Sequence, residues 1–169
     1  MRMELQPVLR GPRLKLRPLK PADFDALYAA AKDPEIWALH PASDRWTLPV
    51  FERFFDDGLK SKGALVVELG GKVVGTSRYY DAAPPESVAI GFTFLVRSLW
   101  GGDYNAELKR LMLVHAFAYC KRAVFHVGEN NLRSRRAMEK IGGRLVGKLD
   151  RKRPDGSPDP TVVYEIARP

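Results

Sequence analysis

Apolar positions change their period several times along this chain, and each change marks an element. Arg13-Leu14-Lys15-Leu16-Arg17-Pro18 alternates basic and apolar residues, the pattern of a half-buried strand. Pro18 and Pro21 close it, and Pro21 opens a helix whose apolar positions are Phe24, Leu27, Tyr28 and Ala31. Asp33-Pro34 ends that helix, and an irregular aromatic stretch follows over 36–41. Phe51, Phe54, Phe55 and Leu59 then recur at helical spacing, which predicts a second helix over 46–60. An apolar run over 64–69 meets Gly70-Gly71 and continues over 72–80, the signature of a two-residue hairpin. The remaining pattern predicts a strand over 88–96, a helix over 106–119, a strand over 123–127 and a helix over 132–141 that Gly142-Gly143 stops. Two last strands, 144–152 and 161–167, flank the polar turn at 154–158.

The order is strand, two helices, three strands, helix, strand, helix, two strands. Hairpin-joined early strands pair antiparallel, and strands that alternate with helices pair in parallel. The pattern therefore predicts a mixed sheet of six to seven strands with helices on both faces. No internal repeat or long linker divides residues 1–169, so one domain is expected.

Composition narrows the function classes. No apolar run approaches the roughly 20 residues of a bilayer span, so no membrane partner is expected. The first residues carry no apolar signal core, and a single cysteine, Cys120, permits no internal disulfide; both fit a reducing cytoplasm. The formal charge of +8 favours anionic partners, either nucleic acid or a polyphosphate cofactor. Zinc-ligand spacing, RNA-binding aromatic signatures and a Walker lysine are all missing, so no metal is expected and nucleic acid is the less favoured partner.

The stretch Val96-Arg97-Ser98-Leu99-Trp100-Gly101-Gly102-Asp103-Tyr104-Asn105 carries the sharpest chemical signal. A strand that feeds a helix through glycines leaves backbone N–H groups free at the helix start, and with the helix dipole they form a phosphate site. An Asp103 side chain aimed inward would repel a pyrophosphate, so it should turn outward or cap the helix.

Three motifs in this order resemble the GNAT superfamily of acetyl-CoA-dependent N-acetyltransferases, and within it the ribosomal-protein N-terminal acetyltransferase branch. They are Leu14-Lys15-Leu16-Arg17-Pro18-Leu19 with Asp23, the Trp100-Gly101-Gly102-Asp103-Tyr104-Asn105 turn, and Asn131-Leu132-Arg133-Ser134-Arg135-Arg136-Ala137-Met138 running on to Gly142. The resemblance spans 14–166. It implies a sheet whose central strands splay at a bulge. It also implies acetyl-CoA as cosubstrate and direct acetyl transfer to a primary amine, with no acyl-enzyme. The family's loop, Q/R-x-x-G-x-G/A, falls here on Trp100, Asp103 and Asn105, all three of which depart from it, while Gly101 and Gly102 supply backbone freedom one step earlier.

By the same resemblance, Phe94, Leu95 and Val96 would pair with the pantetheine arm, and the Leu95 N–H would face the thioester oxygen. Asn131 would contact the pantetheine amides. Arg133 and Arg136 would hold a phosphate of coenzyme A. Superfamily members commonly place a tyrosine acid seven residues after the asparagine; here that residue is Met138, and Ser134 is the substitute. Asn131 and Ser134 also read simply as a helix cap. For the general base, a glutamate common before Ile-Gly is replaced by Ala89 and Glu86 lies in the loop before the strand; His40 in the aromatic segment is a candidate, and a water chain is the alternative. His115 and His126 read as core histidines, and Cys120 as a buried structural thiol. Trp37, Trp46 and Tyr80 are candidate linings of the acceptor site. The acceptor is a protein N-terminus, with a ribosomal protein foremost, or a small amine or antibiotic. A homodimer is compatible with the sequence. A non-catalytic acyl-CoA-binding or nucleic-acid-binding module is the competing class.

Overall fold

A computed structural model describes residues 2–169. Eight strands, β1 (Leu9–Arg10), β2 (Leu14–Pro18), β3 (Ala64–Leu69), β4 (Lys72–Ala83), β5 (Ser87–Leu95), β6 (Arg122–Gly128), β7 (Arg144–Lys152) and β8 (Pro158–Ala167), form one sheet in the order β1-β2-β3-β4-β5-β6-β8-β7. Five helices accompany it: α1 (Phe24–Ala31), α2 (Pro34–Trp37), α3 (Leu48–Ser61), α4 (Tyr104–Phe117) and α5 (Leu132–Lys140).

The strand count exceeds the expected six to seven because two residues, Leu9 and Arg10, add an edge against Leu16 and Lys15. A pair that short carries no readable alternation. The segment expected to be irregular contains α2, which Asp33 caps by accepting a hydrogen bond from the Glu35 N–H. Parallel pairing is narrower than expected. Only β5 and β6 run parallel, over Ser87↔Arg122 to Ala89↔Val124. β8 returns antiparallel between β6 and β7, because the hairpin turn at 153–157 folds the last strand back onto the sheet.

Successive residues of β3 face opposite ways, as the period of a strand requires. Leu65 and Val67 join Ile90, Leu108, Met112, Cys120 and Phe125 in a core that includes residues of α4. Ala64 and Val66 join Leu27, Trp37, Phe51, Phe55 and Phe94 in a second core formed with α1, α2 and α3. Gly70 and Gly71 both have positive φ, 58° and 80°, the conformation that a tight two-residue hairpin demands.

One irregularity positions the site. Thr76 pairs with Phe94, but Arg78 pairs with Gly91, so β5 carries one extra residue against β4. Phe92 sits in this bulge with φ 53°. β5 and β6 are paired only up to Ala89 and Val124, before the bulge; beyond it the two strands make no ladder.

Candidate active site

The gap between β5 and β6 opens into a cavity of about 850 Å³. β5 supplies a wall of unpaired backbone. The Val96 N–H donates to the Val74 carbonyl at 2.9 Å, so by alternation the Leu95 N–H and C=O point away from β4 and toward the gap. The indole Nε1 of Trp100 donates to that Leu95 carbonyl at 2.9 Å. The Val96 N–H is therefore already used, and Val96 does not line the cavity, although Phe94 and Leu95 do.

Past β5 the chain makes a short turn at Arg97–Leu99, and Gly101 adopts φ 77° before α4 begins. Six consecutive N–H groups, from Gly101 to Ala106, have no acceptor among the described residues; the first helical bond is Glu107 N–H to the Asp103 carbonyl. The Asp103 side chain is exposed and makes no capping bond, so it turns outward and leaves the helix start open. Trp100, Gly101, Gly102 and Asn105 line the cavity. Asp103 and Tyr104 do not, and the Tyr104 ring instead lies 4.1 Å beneath the Arg13 guanidinium.

α5 closes the far side. Asn131 is buried, and its side-chain oxygen accepts from the Ser134 N–H at 3.3 Å, which makes it the cap of α5. Its amide nitrogen is left without a protein acceptor, on a residue that lines the cavity. Ser134 and Met138 also line it. Arg133 stacks on Trp100 at 3.6 Å and donates to the Ile36 carbonyl at 3.1 Å, so it braces α5 against α2 and the glycine turn. Arg136 is exposed and lies outside the cavity lining.

His40 lines the cavity, but its Nδ1 accepts from the Ala42 N–H at 2.9 Å. Burial, reinforced by the charges of Arg45 and Arg133, pushes its pKa down to about 3. It is held as a neutral imidazole whose one lone pair is engaged, an arrangement that leaves it no free lone pair with which to take a proton. A different pair offers that capacity. The Tyr80 hydroxyl and His126 Nδ1 lie 2.8 Å apart beside Phe92, and both residues line the cavity. Burial, then the charge of Arg151, lowers the His126 pKa below its ordinary 6.5, and burial raises Tyr80 to about 12. At neutral pH both partners are uncharged, and one proton is shared across this contact. Its place in a short, mostly apolar strand reads His126 as core. The signal that identifies it is its partner, Tyr80, which lies 46 residues away in sequence.

Lys109 is the other cavity residue that the pattern does not reveal. It projects from α4, is almost fully buried, and donates to the Thr93 hydroxyl at 3.3 Å; burial lowers its pKa to about 8. Of the aromatic candidates, Trp37 and Tyr80 line the cavity and Trp46 does not. His115 donates to or accepts from no cavity group; its Nε2 lies 2.7 Å from the Glu4 carbonyl. Cys120 is buried. Among the described residues no cluster of ligands fits a metal ion, and no helix is long and apolar enough to cross a membrane.

Known proteins share this fold. The acetyltransferase (GNAT) domain matches residues 13–144. The chain belongs to the GNAT acetyltransferases. Members of this family use acetyl-CoA. Among solved structures, a provisionally assigned acetyltransferase is 30% identical over 95% of this chain and 86% of its own, with a TM-score of 0.81. Mycobacterium smegmatis RimJ, solved with CoA-disulfide, is 21% identical over 96% of this chain and 86% of its own, with a TM-score of 0.69. The microcin C7 self-immunity acetyltransferase MccE, solved with acetyl-CoA and AMP, is 15% identical over 98% and 99%, with a TM-score of 0.75. The last two carry the fold alone at these identities. No curated protein sequence matches the chain.

Proposed function

We propose that this GNAT protein is an N-acetyltransferase that moves an acetyl group from acetyl-CoA directly to a primary amine. The observation that carries this is the run of six N–H groups from Gly101 to Ala106 without a protein acceptor, placed at the end of a strand whose other edge is unpaired. A helix start with open donors favours a diphosphate, and an unpaired strand edge favours an amide-bearing arm. Acetyl-CoA would supply both, together with the acetyl thioester that the amine attacks. Gly101 to Ala106 would hold its phosphates, and the Leu95 N–H and the Asn131 amide nitrogen its pantetheine arm. The ribosomal-protein branch rests on the three sequence motifs, because identity of 21% to RimJ carries no substrate.

The chain's own residues meet the three needs of the reaction. An amine must lose a proton before it attacks, and the Tyr80 oxygen accepts that proton while passing its own to His126 Nδ1. Negative charge grows on the carbonyl oxygen, where the Leu95 N–H donates and the Lys109 ammonium contributes a positive field through Thr93. The Ser134 hydroxyl, with no protein acceptor of its own, donates toward the departing sulfur. Thiol release in the presence of acetyl-CoA and a panel of primary amines tests the reading, alongside thermal unfolding with acetyl-CoA or with RNA. At a hundred times its dissociation constant acetyl-CoA adds about 2.7 kcal/mol of stability. Stabilisation by RNA alone overturns the proposal, and acetyl-CoA binding without thiol release for any amine reduces it to acyl-CoA sensing.

A further inference from the structure

The α1–α3 side holds two guanidinium groups without a salt bridge: Arg45, half-buried in the cavity lining, and Arg78, buried outside that lining with the Asp57 charge acting on it. Arg45 lines the cavity from the segment before α3, with its charge over the Phe54 ring at 4.3 Å and the Trp37 ring at 5.2 Å. Arg78, on β4, lies over Phe92 at 3.9 Å. Neither makes a salt bridge, and the Nε atom of each is buried without a hydrogen-bond partner among the described residues. Buried charge is expensive unless an opposite charge or a full set of hydrogen bonds compensates it. Elsewhere the fold obeys this rule: buried Asp23 receives Arg17 at 2.8 Å, and buried Glu107 receives Arg13 at 2.8 Å. An arginine on an aromatic face recovers part of the penalty by cation–π attraction, but that leaves the guanidinium edge with its donors open.

The surroundings sharpen the imbalance. Arg53, Arg151 and Lys152 line the same mouth without salt bridges, whereas its acids Asp155 and Asp159 are engaged by Ser157 and Arg153. Asp44, the third acid of this lining, is exposed and without a salt bridge, and its charge offsets part of that of Arg45. Burial first, and then the Arg78 charge, lower the Arg45 pKa to about 10 against the opposing charge of Asp44. Coenzyme A phosphates do not account for this wall. Arg45 and Arg78 gather around Phe54 and Phe92 at the bulge, and Arg151 acts on Tyr80 beside it. The open N–H groups begin beyond the far end of β5, and Leu95 alone is about 10 Å along the strand from Phe92.

We propose that the acceptor is an amine that also bears an oxyanion, a carboxylate or a phosphate, which the Arg45 wall holds while the amine faces Tyr80. This rests on the acetyltransferase reading, and it disfavours a cationic acceptor such as a polyamine or the amine of a basic protein. The recognition is an arginine–oxyanion pairing completed only by the substrate, in a site that the free protein leaves electrostatically unsatisfied.

Two arms test it. In the first, acetylation rates are compared within matched pairs: 4-aminobutyrate against 4-aminobutyramide, and phosphoethanolamine against ethanolamine. The anionic member of at least one pair should have a kcat/KM about tenfold higher or more, a span set by one charge-assisted hydrogen bond, and Arg45→Met should erase that preference while acetyl-CoA affinity stays the same by calorimetry. The pair that responds tells carboxylate from phosphate. Equal rates, faster turnover of the neutral members, or a preference that survives Arg45→Met overturns the proposal. The second arm needs no turnover. Inorganic phosphate is titrated into the CoA-saturated protein and Tm is followed. The rise in Tm should vanish in Arg45→Met and persist in Arg110→Met, an exposed position outside the cavity. Arg45→Met without phosphate should itself melt higher than the parent, because an uncompensated buried charge is gone. A phosphate effect that Arg45→Met leaves intact, or no effect at all, overturns the proposal. If no amine in any panel is acetylated, the enzymatic reading fails by itself, and this arm still decides whether the wall binds oxyanions.

Discussion

Two regions of the molecule treat charge in opposite ways. On the α4 face, Glu107 is 3% exposed yet fully engaged: it accepts from Arg13 Nε at 2.8 Å, from the Arg13 N–H at 3.0 Å and from the Leu14 N–H at 2.7 Å. On the α1–α3 face, Arg45 and Arg78 lie against aromatic rings, each with its Nε buried and unpartnered. The first carboxylate is a closed structural unit that ties α4 to the start of β2. The second pair is incomplete, and it lies beside the Tyr80–His126 pair. A charge whose partners come from the fold secures the fold; a charge whose partners are missing marks where something else must bind. The sharpest tests of the molecule are those that make one face behave like the other.

Opening the closed unit should have the largest effect. Glu107→Ala removes three hydrogen bonds from a buried carboxylate and leaves two backbone donors unsatisfied, so urea unfolding should show a loss of about 3–5 kcal/mol. The same group sets an acid limit. Burial alone would raise its pKa, but hydrogen bonds from the Arg13 side chain and from the Leu14 and Arg13 N–H groups outweigh it and hold the pKa below the ordinary 4.5. For Asp23, burial is likewise outweighed by Arg17 and the Lys20 N–H, and its pKa falls below 3.8. Depressed carboxylate pKa values stabilise the fold above the ordinary value and lose that contribution as pH drops through the folded one. Stability should therefore begin to fall below about pH 6.5, where the unfolded chain protonates His40 and His126 and the folded one resists, and fall more steeply below about pH 5, and Glu107→Ala should flatten part of that steeper decline. A parent-like denaturation midpoint in Glu107→Ala would show that the two faces do not differ as described.

On the other face, the proton pair comes next. Tyr80→Phe and His126→Gln should each lower kcat about 100-fold, in the range of a lost general base, with little change in acetyl-CoA affinity. Because burial and Arg151 depress His126, the acid limb of kcat/KM should fall with an inflection below pH 6.5, where the imidazole becomes protonated and stops accepting. His126→Gln should remove that inflection. An unaltered limb would transfer the role to solvent.

How much of this was legible from the amino-acid order follows the same division. The bulged strand, the glycine turn and the Asn131 cap lie within short, continuous segments, and the residues that define them are local: Leu95, Gly101, Gly102, Asn131. The acceptor wall is assembled from Arg45, Tyr80, His126 and Arg151, which belong to separate elements with no fixed spacing. Nothing about Arg45 in its own segment distinguishes it from a solvated arginine. Only the fold places it over Phe54 with its Nε buried and no salt bridge. His40 shows the converse. Its segment made it an attractive base, but two residues on, the Ala42 N–H occupies the lone pair that the role needs. Arg136 belongs to a basic run that suggests phosphate, but the helical turn directs it away from the cavity that Arg133 and Ser134 line.

The glycine turn gives a smaller and more discriminating test, because its two glycines do different things. Gly101 has φ 77°, so a β-branched residue there strains the backbone whether or not a ligand is bound. Gly102 has ordinary backbone, and a Cβ built on it meets only the Tyr104 ring at 3.6 and 3.9 Å, which is ordinary contact. Gly101→Val should therefore lower both Tm and acetyl-CoA affinity, at a folding cost of about 1–2 kcal/mol. Gly102→Val should leave Tm near the parent and weaken acetyl-CoA about tenfold, the expected loss for one crowded phosphate contact. Calorimetry and thermal unfolding on the two variants separate the effects. Equal affinity in Gly102→Val would mean that the phosphates do not approach the turn, and the six open N–H groups would need another occupant.

The smallest predicted change lies on α5, where one short helix carries residues of both kinds. Ser134 lines the cavity and Arg136 does not, so the two substitutions to alanine bracket what the helix contributes. Ser134→Ala deletes a hydroxyl whose hydrogen bonds no protein group takes. It should lower kcat about fivefold, the worth of one modest hydrogen bond made only as the sulfur departs, and leave acetyl-CoA affinity unaltered. The cap itself should survive, because the Asn131 side chain accepts from the Ser134 backbone N–H and not from its side chain. Arg136→Ala should change neither constant by more than about twofold, since an exposed arginine outside the cavity offers only a screened field. The order of the two effects is the informative quantity. If Arg136→Ala weakens acetyl-CoA while Ser134→Ala leaves kcat untouched, the cosubstrate grips the outer face of α5 and the inner face merely packs.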